Sequence, residues 1–235
     1  MSASSAVQQL VLYSYWRSSC SWRVRSVLAL KAIPYEYRAV SLYTGEQHSE
    51  AFKAVNPAGM VPTLLVPTKD GKHETLFESL AIIDYLEQTH PQPSIYPTDP
   101  IQRAKVIAVV ESIVSGIQPL QNLGPMNKAA EFAGGSKAKA VEWNQYWIST
   151  RFATLEGILQ GLSGRYTVGD QLTLADICLV PQVYNALRYN VQLDSYPLIK
   201  RLYEQLLATE ECIIKAKPEN QVDSDDFKER KLAGY

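Results

Sequence analysis

Residues 13–25 of this chain read YSYWRSSCSWRVR, and this stretch decides the fold. The apolar run that enters it, residues 10–15, has the composition of a β-strand. Beyond the small polar residues, apolar side chains recur at helical spacing, at Val24, Val27 and Leu28. The stretch therefore predicts a strand followed directly by a helix, which residues 18–21 open.

The junction between this strand and this helix has the composition of an anion site. A helix N-terminus presents unpaired N–H groups and a partial positive charge, so it favours an anion such as a thiolate. The hydroxyls of Ser18 and Ser19 can donate hydrogen bonds there. Three arginines make the surroundings electropositive: Arg17, Arg23 and Arg25. The alternative is a structural role, in which a serine caps the helix and Cys20 is an ordinary buried residue.

Composition excludes several classes of protein. The 235 residues carry 23 Lys and Arg against 24 Asp and Glu, without a long basic run, so a nucleic-acid partner is not expected. The chain has three cysteines, which stand far apart in the sequence: Cys20, Cys178 and Cys212. An odd number of distant cysteines argues against a disulfide framework and for a reducing compartment. The three histidines do not pair at ligand spacing, so no metal site is predicted. No 18-residue apolar stretch exists, which predicts a cytoplasmic protein without a membrane partner.

The two halves of the chain differ in their predicted pattern of secondary structure. Short strand-like runs and helical segments alternate up to residue 87, which predicts a mixed α/β domain over 8–89. Three prolines within residues 90–97 predict a linker over 90–98. Apolar residues then follow helical spacing, which predicts an all-helical domain over 99–216 and a polar, loosely ordered tail over 217–235. Within the helical half, Thr173 and Asp176 stand three apart as in a capping box, so Asp176 is predicted to be structural.

Four motifs carry a family resemblance: SSCSWRVR at 18–25, NP at 56–57 with VPTL at 61–64, ESLAII at 78–83, and IQPLQNL at 117–123. With this order of elements, the chain resembles the cytosolic glutathione transferases, and within them the zeta class, over about residues 10–208. The resemblance implies a thioredoxin-like N-terminal domain that binds glutathione and an all-α C-terminal domain that contributes the electrophile pocket. It also implies a homodimer.

The resemblance further assigns residues to glutathione. The proline matching Pro62 is cis in this family, so the backbone of Val61 is expected to pair with the cysteinyl part of glutathione as an added strand. Ser79 is expected to hold the γ-glutamyl carboxylate, and Glu78 the γ-glutamyl amine. Three further glutathione contacts are implied: Gln47, Gln118 and Asn122. The last two stand four apart, which predicts that they share one helical face.

The activity implied is glutathione-dependent cis-trans isomerisation of 4-maleylacetoacetate to 4-fumarylacetoacetate, in phenylalanine and tyrosine catabolism. Ser18 is the expected hydroxyl donor to the glutathione thiolate, with Ser19 and Cys20 as second-line donors. Arg17 and Arg188 are expected to bind the carboxylates of the small dicarboxylate substrate.

Three alternatives stay open at this point. The same thiolate can displace halide from small α-halo acids, which is a broader glutathione transferase activity. Cys20 can instead form a mixed disulfide, as in glutathione-dependent thiol oxidoreductases. The fold also serves as a non-catalytic interaction module, although the presence of Ser18, Ser19 and Ser79 argues against that.

Overall fold

A computed structural model describes residues 9–224 of the chain. The chain forms two compact units. Of the described residues, the first unit holds 9–93 together with 211–224, and the second is Ser94–Glu210.

The first unit is built on a four-stranded sheet. Its strands are β1 (Leu10–Ser14), β2 (Tyr35–Ala39), β3 (Thr63–Pro67) and β4 (His73–Phe77). Their order is β2-β1-β3-β4, with β1 and β2 parallel and the other two pairs antiparallel. The helices are α1 (Ser19–Leu30), the short α2 (Glu50–Lys53) and α3 (Ser79–Thr89), with a 3-10 turn at Glu46–His48. The parallel pair is joined by α1 as a crossover, as the opening stretch of sequence predicts.

The core of this unit explains why α1 lies where it does. Leu12 of β1 and Leu64 of β3 are fully buried, as are three apolar residues of α3: Ile82, Ile83 and Leu86. Within α1, buried residues are not restricted to one stripe, because every residue from 21 to 28 is buried. The helix is therefore enclosed on all sides, and the two arginines that it carries are enclosed with it.

The second unit is helical. It contains α4 (Pro100–Val114), α5 (Leu123–Phe132), α6 (Lys137–Leu159), α7 (Leu174–Arg188) and α8 (Pro197–Thr209), with a 3-10 turn at Gln118–Gln121. The predicted capping box opens α7: Asp176 accepts hydrogen bonds from the backbone N–H groups of Thr167 (2.7 Å) and Thr173 (2.8 Å). Burial raises the pKa of the Asp176 carboxyl, while these hydrogen bonds oppose the change.

The division between the units differs from the predicted one at the C-terminal end. Helix α9 (Glu211–Lys215) belongs to the first unit, where the Trp22 indole donates to the carbonyl of Ile213 at 3.1 Å. The predicted tail, 217–235, begins with ordered residues. Asp223 accepts hydrogen bonds from the Trp16 N–H (2.9 Å) and the Tyr37 hydroxyl (2.7 Å). The polar composition of the tail does not indicate these contacts in the sequence. Residues 225–235 lie outside the described part of the chain.

The predicted linker, 90–98, is held at both of its ends. Lys31 donates to the carbonyls of His90 (2.6 Å) and Pro93 (2.9 Å) within the first unit, and Ile95 is fully buried in the second. The predicted class, a thioredoxin-like domain followed by an all-α domain, is confirmed. Across residues 9–224 no single helix has the length and apolarity to cross a membrane; only the bent pair Pro100–Gln121 and Leu123–Phe132 meets those two criteria jointly.

Candidate active site

The N-terminus of α1 is capped by Ser18, in keeping with the structural alternative in which a serine caps this helix. Ser18 has extended backbone geometry, and its Oγ accepts a hydrogen bond from the N–H of Ser21 at 3.1 Å. Since Oγ acts there as an acceptor, the hydroxyl proton remains available for a second partner. Ser18 and Cys20 are partly exposed, whereas Ser19 is buried. The Ser18 side chain therefore caps the helix and also keeps a hydroxyl proton that it can donate.

The loop before α1 is fixed by Arg25, which is buried. Its guanidinium donates to Ser14 Oγ (2.9 Å) and to the carbonyls of Tyr15 (3.3 Å), Trp16 (3.0 Å) and Ala216 (3.0 Å). Burial lowers the pKa of Arg25. Its charge thus serves the scaffold under the helix start, not the anion site that the sequence suggested. Arg17, in contrast, is partly exposed and lies over the Trp16 ring, 5.4 Å from the ring centroid.

The backbone of Val61 is available for pairing. The Val61–Pro62 bond is cis, as the family resemblance implies. The Val61 side chain packs in a buried apolar cluster with Tyr15 and Trp16. Within residues 9–224, the N–H and C=O of Val61 take part in no hydrogen bond with another backbone group. An extended peptide can therefore add to the chain at this position.

A second helix start lies at Ser79, where α3 begins. The preceding residue, Glu78, is exposed and has φ 67° and ψ 121°, a conformation that is costly for any residue but glycine. Glu78 forms no side-chain cap, so the first N–H groups of α3 are not satisfied by a capping side chain. Strained backbone of this kind occurs at ligand sites, where surrounding structure holds it. The arrangement is suited to a carboxylate.

Arg23 links the two helix starts. Its Nη1 lies 3.4 Å from Ser79 Oγ and 3.8 Å from Cys20 Sγ, within hydrogen-bonding range for oxygen and sulfur respectively. The side chain is fully buried. From the sequence, Arg23 is predicted only to be part of the electropositive surroundings of the helix start. The available signal is that α1 contains no acidic residue to pair with an arginine, and Arg23 shares this signal with Arg25.

Gln47 is the third predicted glutathione contact in this unit, and it is also buried. Its Nε2 lies 3.1 Å from Nε2 of His48, while its Oε1 has no partner within the described part of the chain. Gly59, at φ 62°, approaches so closely that a Cβ there would come within 3.0 Å of the Gln47 carbonyl oxygen. A side chain at Gly59 would therefore displace the Gln47 backbone.

The predicted residues of the second unit are arranged differently from expectation. The prediction that Gln118 and Asn122 share one helical face is wrong. Gln118 begins a 3-10 turn that ends at Gln121, and Asn122 is the extended N-cap of α5, where it accepts from the Leu123 N–H at 3.0 Å. A spacing of four places two residues on one face only within a continuous α-helix. Here the proline at position 119 and the cap at Asn122 interrupt the helix.

Arg188 occupies the last turn of α7 and is exposed. Its Nη1 donates to Asn185 Oδ1 at 3.1 Å, and its guanidinium lies 5.6 Å from the centroid of the Tyr189 ring. These contacts hold the guanidinium at the C-terminal end of α7. Among residues 9–224 no group of three or more His, Cys, Asp or Glu side chains could hold a metal ion.

Comparisons with known proteins agree with this geometry. The family model of the glutathione S-transferase N-terminal domain matches residues 12–94, and that of the C-terminal domain matches residues 123–210. A probable maleylacetoacetate isomerase of Drosophila melanogaster is 47% identical over 94% of this chain and 93% of its own length. The mouse maleylacetoacetate isomerase is 46% identical over 85% and 88%.

Two solved structures are similar throughout. The maleylacetoacetate isomerase of Anaeromyxobacter dehalogenans, solved with glutathione in its active site, is 42% identical with a TM-score of 0.83, covering 92% of this chain and 98% of that one. A bacterial zeta-class enzyme, maleyl pyruvate isomerase, is 38% identical with a TM-score of 0.84, covering 91% and 99%. Both the helix starts described above and these relatives lead to one conclusion: the chain belongs to the glutathione S-transferase family and, within it, to the zeta-class maleylacetoacetate isomerases.

Proposed function

We propose that this chain catalyses the glutathione-dependent isomerisation of 4-maleylacetoacetate to 4-fumarylacetoacetate, a step of phenylalanine and tyrosine catabolism. The observation that carries the proposal is the Ser18 hydroxyl at the start of α1, which caps the helix and keeps a proton to donate. The thiolate of glutathione adds to the cis double bond, which gives an enolate with a single bond in its place. Rotation about that bond and elimination of the thiolate restore a trans double bond and regenerate glutathione.

Thiolate formation sets the first energetic demand. A thiol is mostly protonated at neutral pH, and raising its acid ionisation constant about a hundredfold takes about 2.7 kcal/mol. A helix N-terminus supplies about 0.3–1 kcal/mol, and about 2 kcal/mol in favourable partly buried sites. A charge-assisted hydrogen bond adds roughly 1.5–3 kcal/mol. The helix start alone is insufficient, and the Ser18 hydroxyl closes the difference.

The rest of glutathione fits the groups left open in the first unit. The unpaired N–H and C=O of Val61 suit the backbone of the cysteinyl residue. The uncapped start of α3 and the Ser79 hydroxyl suit the γ-glutamyl carboxylate, and the exposed Glu78 carboxylate suits its ammonium group. The buried Gln47 Oε1 supplies a further acceptor. Gln118 and Asn122 are proposed as contacts from the helical unit.

The second demand is to bind a dianionic substrate and stabilise the enolate, which calls for cations. We assign Arg17 and Arg188 to this task, because both side chains are at least partly exposed and each guanidinium lies over an aromatic ring. No general base is needed, since the proton inventory of substrate and product is the same.

One assay tests the function. Purified protein is given 4-maleylacetoacetate with and without glutathione, and the trans product is followed. Turnover that requires glutathione but does not consume it is expected. Maleylpyruvate serves as the comparison substrate, because a zeta-class neighbour is a maleyl pyruvate isomerase. Glutathione consumption with release of a conjugate would replace isomerisation by a transferase reaction.

Ser79→Ala is expected to weaken glutathione binding with little effect on kcat. The hydroxyl is assigned to a carboxylate far along the peptide from the reacting sulfur, so its loss removes a charge-assisted hydrogen bond of about 1.5–3 kcal/mol, or roughly a tenfold to hundredfold rise in the KM for glutathione. Steady-state kinetics with glutathione varied at saturating substrate measures this. An unchanged KM would contradict the assignment of Ser79.

We further propose a cytoplasmic homodimer. The three cysteines, Cys20, Cys178 and Cys212, stand far apart in the sequence, which suits a reducing compartment. Two large apolar side chains of the first unit, Met60 and Phe77, are 53% and 52% exposed, and a subunit interface would cover them. Native mass spectrometry is expected to give twice the mass of the chain, and Phe77→Asp to shift it towards monomer.

A further inference from the structure

Arg23 is a buried cation whose charge is not matched within the structure. Its side chain has no exposed surface, and it forms no ion pair with any acidic group in residues 9–224. Two of its three nitrogens, Nε and Nη2, have no hydrogen-bond partner among these residues. The third, Nη1, contacts Ser79 Oγ and Cys20 Sγ. An arginine stays protonated in proteins, so the full charge is buried.

Burying a charged group that lacks a counter-charge and hydrogen-bond partners is unfavourable. A buried ion costs several kcal/mol unless pairing and hydrogen bonds offset it. Arg25, two residues along the same helix, illustrates the satisfied case, because each of its three nitrogens donates to an oxygen. A purely structural role therefore suits Arg25 and does not suit Arg23. The charge of Arg23 is better explained by an anion that binds next to it.

The contact with Ser79 indicates where that anion sits. Because Nη1 donates to Ser79 Oγ, the hydroxyl proton of Ser79 must point away from Arg23. Ser79 opens α3, whose first N–H groups have no side-chain cap. Three features therefore favour a carboxylate at this position. They are the hydroxyl donor oriented away from Arg23, the start of α3, and the buried positive charge of Arg23.

We propose that Arg23 is a positioning residue for glutathione, acting through Ser79 to hold the γ-glutamyl carboxylate. This inference rests on the proposed function, since it takes glutathione as the ligand. Arg23 orients the Ser79 hydroxyl as a donor and supplies the positive charge that the carboxylate neutralises. The free protein carries the unmatched charge, and binding of glutathione relieves it.

Two variants of α1 separate this role from a structural one. Arg23→Met is expected to leave the Tm of the free protein unchanged or raised, because it removes an unmatched buried charge. Arg25→Met, the matched control, is expected to lower the Tm, because it removes hydrogen bonds from a satisfied buried network. Arg23→Lys keeps a charge near Ser79 and is expected to rescue part of the ligand affinity that Arg23→Met loses.

The decisive measurement compares two ligands by titration calorimetry. One is glutathione, and the other is 4-aminobutanoyl-cysteinyl-glycine, which differs from it by lacking the γ-glutamyl carboxylate. The wild-type protein is expected to prefer glutathione by at least about tenfold, and Arg23→Met to lose roughly tenfold of that preference, the size of one charge-assisted hydrogen bond.

The outcomes distinguish the inference from the function on which it rests. The inference is supported if Arg23→Met loses the preference for glutathione but keeps its affinity for the truncated ligand. Equal weakening of both ligands, or glutathione preference unchanged, overturns it while leaving the proposed function intact. A wild-type protein that binds neither ligand overturns both.

Discussion

Replacing Arg188 by methionine is expected to reduce kcat/KM for 4-maleylacetoacetate by about 10- to 100-fold, while folding and glutathione binding persist. Methionine keeps a long apolar stem but deletes the guanidinium, and a charge-assisted hydrogen bond to a carboxylate is worth roughly 1.5–3 kcal/mol. The change tests charge, because Arg188 is exposed at the end of α7 and its removal leaves no buried cavity. Kinetics with the dicarboxylate measures the loss.

Two comparisons isolate the substrate carboxylate. A small uncharged electrophile, such as a chloro-nitroarene, offers no carboxylate and should be turned over by Arg188→Met almost as by the wild type. Arg151→Met is the matched variant, because Arg151 is also an exposed helical arginine lying over an aromatic ring, 5.7 Å from the centroid of Trp147. It should leave both activities unchanged. Equal losses on both substrates in Arg188→Met would mean that this arginine supports the fold or the thiolate instead.

Ser18→Ala is expected to lower kcat by roughly 10- to 100-fold at neutral pH, with glutathione affinity changed only a few-fold. In the proposed mechanism the Ser18 hydroxyl acts on the sulfur, so its removal takes away a hydrogen bond of roughly 1.5–3 kcal/mol that favours the thiolate. Without that bond the thiol of bound glutathione has a higher pKa, so the pH profile of kcat should move to higher pH. Stopped-flow titration of thiolate absorbance in the binary complex checks the same quantity directly.

Ser18 is also a helix cap, so the stability loss must be separated from the catalytic loss. Removing a serine cap costs about 1 kcal/mol. Ser136→Ala removes a cap of the same kind from α6, where Ser136 accepts from the Lys139 N–H at 3.3 Å, and should lower stability without moving the pH profile. Ser18→Thr keeps cap and hydroxyl and should retain activity. If Cys20→Ala alone abolishes turnover and a Cys20–glutathione disulfide accumulates, thiol redox chemistry replaces the proposed mechanism.

Local patterns predicted the parts of the molecule that local forces determine. The start of α1 at Ser18 and the capping box at Thr173 follow from side chains that bond to backbone N–H groups within three residues. The change from alternating elements to helices likewise follows from hydrophobic periodicity. These features depend on neighbours in sequence and are therefore visible in the sequence.

What the sequence could not predict depends on contacts between distant residues. Arg23 and Arg25 look alike in sequence, and only the surrounding groups distinguish a satisfied guanidinium from an unmatched one. The tail was predicted to be loosely ordered from its polar composition, yet Asp223 binds two donors more than 180 residues away along the chain. The 3-10 turn before Asn122 was missed because a spacing of four suggests an α-helix.

The first unit is discontinuous in the chain, and this has a consequence for biosynthesis. The carbonyl of Ala216 and the carboxylate of Asp223 complete the hydrogen bonds of Arg25 and of the Trp16 N–H, beside the start of α1. A ribosome delivers the N-terminal strands first and these partners only after the whole helical unit has been synthesised. The loop before α1 in a nascent chain therefore lacks these hydrogen bonds until residues 211–223 have been made. Chains that stop before Ala216 lack these partners, which makes the final form of this loop dependent on synthesis beyond the helical unit.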